Sequence, residues 1–189
     1  EEDIETFLIS DEGGYIKGKT SDFDREYALN RNDLFKFLEE TQEKEWTRYK
    51  NAFPYDYEKN FIKRFNEEVS LRGIIDVIRN GITDRGFKFK LAFFKPETTL
   101  SQEGWELYSK NILNETRQLK YSTQNENSID IVLLLNGIPL VALELKNQIT
   151  GQNSSNAQKQ FMYDRDPREL IFRFKQRVIA YFAVDHYDV

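Results

Sequence analysis

Two apolar runs separated by Asn136-Gly137 restrict the fold of this chain more than any other stretch. Ile129-Asp130-Ile131-Val132-Leu133-Leu134-Leu135 precedes the dipeptide, and Ile138-Pro139-Leu140-Val141-Ala142-Leu143-Glu144-Leu145-Lys146 follows it. Asn-Gly suits the two positive-φ positions of a tight reverse turn, so the pattern predicts a β-hairpin. The arms are apolar at successive rather than alternate positions, which expects central strands covered on both faces. Pro139 falls at the start of its strand, where a missing N–H is tolerated.

Asp130, Glu144 and Lys146 interrupt this apolar hairpin. A charge in a doubly covered strand needs compensation, because an unpaired buried charge is strongly destabilising. One solution is a divalent cation held by the two carboxylates and a backbone carbonyl, with the lysine beside it, as in a metal-dependent phosphodiesterase site. Mg²⁺ suits that set, since it accepts one or two carboxylates and keeps several waters. The other solution is a buried Asp130–Lys146 salt bridge with no catalysis. Register decides whether the residues can meet. An ideal two-residue loop sets Asp130 opposite Leu143 and turns Glu144 to the other face. A three-residue loop or one bulged residue brings Asp130, Glu144 and Lys146 to one face, and an odd-length or bulged turn is expected. Glu-x-Lys alone is a weak signal. Its weight here comes from lying at the end of an apolar strand, paired through a tight turn with a strand that begins with Asp.

Composition narrows the chemistry further. Of the 189 residues, 39% are apolar and 31% charged, enough for one sizeable core and better suited to one domain than two. With no cysteine, disulfides, thiolate catalysis and Cys-type zinc sites are excluded, and the single His186 excludes a multi-histidine metal cage. Any chemistry must run on carboxylates, Lys, Arg and hydroxyls. The net charge of −5 argues mildly against a surface that coats nucleic acid throughout, although an acidic metal site would itself lower it. No apolar run reaches the roughly 20 residues of a membrane-spanning helix, and Glu1-Glu2-Asp3 does not open a secretory signal. A soluble, cytoplasmic protein is expected. The first residue is not Met and Val178–Val184 reads as a buried strand near the end, which suggests a domain excised from a longer chain.

Elsewhere the pattern is mixed. Residues 1–22 show no period and read as a loose or weakly paired leader, with the domain proper at 23–189. Asp24 to Glu40 reads as a helix, interrupted near Asn30–Asn32, and Trp46, Tyr49, Phe53, Pro54 and Tyr55 as an aromatic connection. Phe61, Ile62, Phe65 and Val69 form a helical stripe. Leu71–Asn80 continues that helix or starts another, with Gly81 in place to end it. Phe87 to Phe93 alternates as a half-buried strand. A short helix is expected over Ser101–Asn111, a strand over Thr116–Tyr121, a loop over Gly151–Ser155, a helix over Asn156–Tyr163 and a strand over Arg177–Val184.

An Asp at the start of one strand and Glu-x-Lys on the next resemble the PD-(D/E)xK nuclease superfamily. More specifically, the chain resembles the N-terminal nuclease domain of type I restriction enzyme R (motor) subunits. The matching stretches are Thr41-Gln42 with Trp46, Arg72 through Gly81, Arg117 through Ser122, Ser128 through Asn147, Thr150-Gly151-Gln152 and Asp164 through Glu169. The similarity spans about 23–188. It implies an α/β restriction-endonuclease-like core with a mixed central sheet flanked by helices. It also implies that Asp130, Glu144 and the Leu145 carbonyl hold Mg²⁺ and that Lys146 orients or assists the attacking water. ATP enters only through translocase domains that this chain lacks, and the implied partners are duplex DNA and the specificity and methyltransferase subunits of the complex. Members often carry Gln-x-x-x-Tyr on the following helix. Here Gln158 and Gln160 stand five and three residues before Tyr163, and Gln160 is the preferred equivalent.

Other residues are open to two readings. Glu67 and Glu68 could add a carboxylate to the metal or be ordinary solvated helix residues. Arg165, Arg168, Arg173, Lys175 and Arg177 make the most basic stretch, in which Arg165 and Arg168 could track a DNA backbone; alternatively they pair with Asp164, Asp166 and Glu169 to pin a loop. A Mg²⁺-dependent DNA endonuclease module is the expected function. A non-catalytic DNA-binding or assembly module, and a repair-type nuclease with the same core, are the rivals.

Overall fold

The computed structural model describes residues 1–145, 159 and 165–184. A five-stranded mixed sheet in the order β1-β6-β7-β8-β9 forms the centre. Its strands are β1 (Ile16–Lys17), β6 (Leu113–Lys120), β7 (Ser128–Leu135), β8 (Ile138–Leu145) and β9 (Ala180–Val184). The β6-β7-β8 meander is antiparallel, and the short β1 and β9 join parallel at the two edges. Around it lie α1 (Glu2–Leu8), α2 (Arg31–Thr41), α3 (Glu43–Ala52), α4 (Tyr57–Arg72), α5 (Ile74–Asn80) and α6 (Gln102–Ser109). Two small hairpins, β2-β3 (Phe23–Asp24, Leu29–Asn30) and β4-β5 (Ile82–Asp84, Phe87–Phe89), and short 3₁₀ helices at Thr20–Asp22 and Leu170–Phe172 complete the described elements. Among the described residues no helix is long and apolar enough to cross a membrane.

The helical layer is built on Trp46. Its ring stacks on Phe35 and Tyr49 at 5.5 and 5.6 Å between centroids and meets the edges of Phe61 and Phe89. These contacts explain one departure from the sequence pattern: the aromatic connection is the buried face of α3, with Trp46 and Tyr49 three residues apart. Tyr49 satisfies its hydroxyl on Asp84 at 2.6 Å, so the cluster buries no unpaired hydroxyl there. The α4 stripe is as expected, with Phe61, Ile62, Phe65 and Val69 all buried.

Residues 23–30 fold as a hairpin rather than as the first turns of a helix. Asn30 ends it and caps α2: its side chain accepts the Asp33 N–H and donates to the Asp33 carboxylate at 2.8 Å, a reciprocal cap that fixes the helix start. The strand expected over Phe87–Phe93 is three residues long and pairs with β4. Gly73, at φ 83°, breaks the helical stretch into α4 and α5.

The segment set apart as a leader contributes α1 and the edge strand β1. Charge pairs hold it down, with Arg117 reaching Glu1 and Glu5 and with Lys17 on Glu5 at 2.9 Å. Such pairs between residues distant in sequence leave no periodic trace in it. β9 is shorter than the strand read from Arg177 and lies at the sheet edge, where Tyr181 and Phe182 are each 41% exposed.

Candidate active site

The site depends on the β7-β8 turn, which packing holds in place. Asn136 (φ 50°) and Gly137 (φ 79°) form the two-residue loop. The buried Asn136 side chain donates to the Leu91 carbonyl at 2.8 Å and accepts the Ile112 N–H at 2.7 Å. A Cβ at Gly137 would lie 2.1 Å from the Asn30 carbonyl oxygen, so only glycine fits against the start of α2. From this turn Leu135 pairs with Ile138 and Leu134 with Pro139, and then the register shifts. Leu133 pairs with Val141, so Leu140 is the extra residue of a β-bulge. The expected bulge is there. Beyond it Ile131 stands opposite Leu143, and positions 130 and 144 come into register.

At that end of the hairpin the ladder gives way to side chains. Asp130 Oδ2 accepts the Leu145 N–H at 2.7 Å, which brings its carboxylate against the Glu144–Leu145 peptide. Asp130 Oδ1 accepts from Gln118 Nε2 at 3.1 Å. The same amide nitrogen reaches Glu1 at 2.9 Å, while the Gln118 oxygen accepts the Ser128 hydroxyl. Gln118 has φ 46°, a left-handed conformation uncommon for a residue other than glycine. This strained position aims the amide at Asp130 and is a feature that the sequence does not reveal.

Glu144 is 1% exposed and ion-paired to Arg165. The same guanidinium donates to the Tyr121 hydroxyl at 2.9 Å and the Ser128 carbonyl at 2.8 Å, and lies over the rings of Tyr121 and Phe172. Burial alone would push the Arg165 pKa down; Glu144 and Tyr121 outweigh it and hold the group above its ordinary value. Arg165 is therefore an interior partner of the candidate site, 8% exposed, rather than a surface contact. Its sequence separation from Glu144 hid the pairing.

Other candidate residues fall elsewhere. Arg168 is exposed and forked onto Asp166 at 2.8 Å, a loop-pinning pair. Arg177 is fully buried, its pKa pushed down to about 9 by burial, and clamps the Tyr27 and Ala28 carbonyls and Asn66. Glu67 and Glu68 are engaged by Arg64, and Glu68 also by Arg72. The structure joins them to that α4 network and not to Asp130 or Glu144. Lys146, Gln160, Tyr163 and His186 lie outside the described residues.

One carboxylate on the sheet escaped the sequence reading. Glu115 of β6 is fully buried with neither oxygen hydrogen-bonded. Burial, with Glu5 adding to it, pushes its pKa up to about 7.

Of the oxygen donors that the resemblance implies for a hard cation, Asp130, Glu144 and the Leu145 carbonyl, the structure brings the Asp130 carboxylate against the Glu144–Leu145 peptide. Among the described residues no three acidic or histidine side chains converge as a metal cluster. A mixed five-stranded α/β core whose central hairpin ends in an Asp and a Glu in register defines the restriction-endonuclease-like class of fold. The family of the type I restriction enzyme R protein N terminus matches residues 1–187, and the chain belongs to it. The match takes in residues 1–22, which the sequence pattern had separated from the domain. No curated protein and no solved structure gives a significant match.

Proposed function

We propose that this domain is the Mg²⁺-dependent endonuclease module of a type I restriction enzyme R subunit. It hydrolyses phosphodiester bonds of duplex DNA delivered by ATP-driven translocase domains, in a complex with specificity and methyltransferase subunits. The observation that carries the reading is the Leu140 bulge, which brings Asp130 into register with Glu144 at the Glu144–Leu145 peptide.

The donor set fits Mg²⁺, because two carboxylates and a carbonyl leave positions for waters and a substrate phosphate oxygen. When bound, Mg²⁺ would supply Lewis-acid polarisation of the phosphate and an activated water. The chain's own residues orient the donors. The Leu145 N–H and Gln118 fix the Asp130 carboxylate, and Arg165 fixes Glu144 through a charge-assisted contact. Lys146 follows Leu145 in sequence, and in this reading its ammonium orients the attacking water and offsets the developing negative charge. Arg168, exposed on the loop before β9, is the proposed contact to the DNA backbone.

A second reading, a non-catalytic DNA-binding or assembly module, draws on the Glu144–Arg165 pair, which neutralises one carboxylate without a metal. Supercoiled-plasmid nicking separates the two. The chain should nick in Mg²⁺, and Asp130→Ala and Glu144→Gln should reduce the rate by at least about a hundredfold. Equal nicking by all three, or none in the complete motor complex, would favour the scaffold.

A further inference from the structure

Arg72–Gly81, one of the stretches that carry the family resemblance, has no part in the carboxylate site. With the segment that leads into β9 it encloses a cavity of about 680 Å³. The lining is largely apolar, from Ile75, Phe172, Phe174, Ile179 and Tyr181, and its rim carries Arg79 and Lys175. Asp76 also lines it, paired at 2.7 Å with Arg72, which Glu68 shares, and Arg79 and Lys175 are further cations of the lining. The rim is therefore positive.

Phe174 is 85% exposed, and the Lys175 ammonium stands 5.1 Å from the centre of its ring. The segment around it is anchored at both ends. The Ile74 N–H donates to the Lys175 carbonyl at 2.7 Å, and the Ile179 N–H to the Leu140 carbonyl at 2.9 Å. An exposed aromatic ring beside cations is an arrangement that receives an unpaired base with its phosphates, because stacking needs a free base face and the backbone needs positive charge. A base inside a duplex has neither face free.

We infer that this groove binds single-stranded nucleic acid, with a base on Phe174 and the backbone on Arg79 and Lys175. Phe172 extends the groove toward the carboxylates: its ring meets Tyr121 at 4.9 Å, and the Arg165 guanidinium that holds Glu144 lies over both rings. As a binding site the groove stands on its own geometry; its use for a strand separated from duplex substrate rests on the nuclease reading above.

Anisotropy of a fluorescein-labelled twelve-residue oligothymidylate, titrated with the 189-residue chain in EDTA, tests this without cleavage. The single strand should bind, and Phe174→Ala or the Arg79→Ala/Lys175→Ala pair should weaken it roughly tenfold. Phe174→Trp should restore affinity, and a duplex of the same length should show no dependence on position 174. Absence of single-strand binding, or equal binding by wild type and Phe174→Ala, overturns the inference. Asp130→Ala should bind normally, so loss of Phe174 dependence with intact Asp130-dependent nicking sinks the groove alone. Phe174-dependent binding in a chain that never nicks supports the groove and sinks the nuclease reading alone.

Discussion

The helical layer and the open end of the central hairpin bury different kinds of surface, with opposite consequences. Around Trp46 the buried residues are apolar or aromatic, and Tyr49–Asp84 satisfies the polar exception. At the end of β7 and β8 the buried groups include Glu144 and Arg165, with Glu115 unpaired on the neighbouring strand. Packing of the first kind contributes stability with little chemistry. The second kind gives up stability, since desolvating paired charges commonly offsets their attraction, and gains fixed charges that the proposed hydrolysis would use.

Substitutions can break this contrast. Trp46→Ala should cost about 5 kcal/mol of unfolding free energy in urea titration, through the cavity it leaves. A loss below 1 kcal/mol would mean that the aromatic cluster is not the source of stability. Arg165→Ala should cost about 4 kcal/mol by leaving Glu144 buried without that partner. The double change Arg165→Met/Glu144→Leu should recover most of it while abolishing divalent-cation binding. If the double variant is no more stable than the single one, the charges at this end are not a sacrifice of stability.

Glu115 sharpens the comparison through pH. Burial pushes its pKa in the fold up to about 7 against 4.5 when exposed, so its carboxyl keeps its proton in mildly acidic solution. The folded state therefore binds the extra proton between these values. The stability it supplies is complete below about pH 4.5 and is lost as pH rises through 7, a change of up to about 3 kcal/mol. Thermal melts from pH 5 to 8 should show this fall and Glu115→Gln should flatten it; parallel profiles for the two proteins would contradict the assignment. Arg168→Ala should leave the melting temperature essentially unchanged, because the pair it makes with Asp166 is solvent-exposed and screened. It should nevertheless weaken duplex binding and reduce the salt dependence by about one counterion. An unchanged salt slope would remove Arg168 from the DNA contact.

Much of this architecture was legible locally. The Asn136-Gly137 turn, the α4 stripe and the requirement for a bulge all follow from residues within one hairpin or one helix. What escaped was set by distant partners. Trp46 and Tyr49 read as a connection because few apolar neighbours mark α3, and its helix forms against Phe61 and Phe89. Residues 1–22 read as loose because charge pairs to Arg117 hold them. In the site, Asp130 and Glu144 were visible as charges in an apolar hairpin. Gln118 was not, since its role depends on a left-handed backbone, nor was Arg165 as the partner of Glu144.

In the proposed function the Leu140 bulge builds a two-carboxylate cation site. Calorimetric titration of Mg²⁺ or Mn²⁺ into the chain and into Asp130→Asn tests it most directly. Saturable binding at one kind of site in the wild type, lost in the variant while its melting temperature is retained, is the predicted result. Identical isotherms for the two proteins would rule out a metal role for Asp130 and leave it as a structural acceptor for the Leu145 N–H.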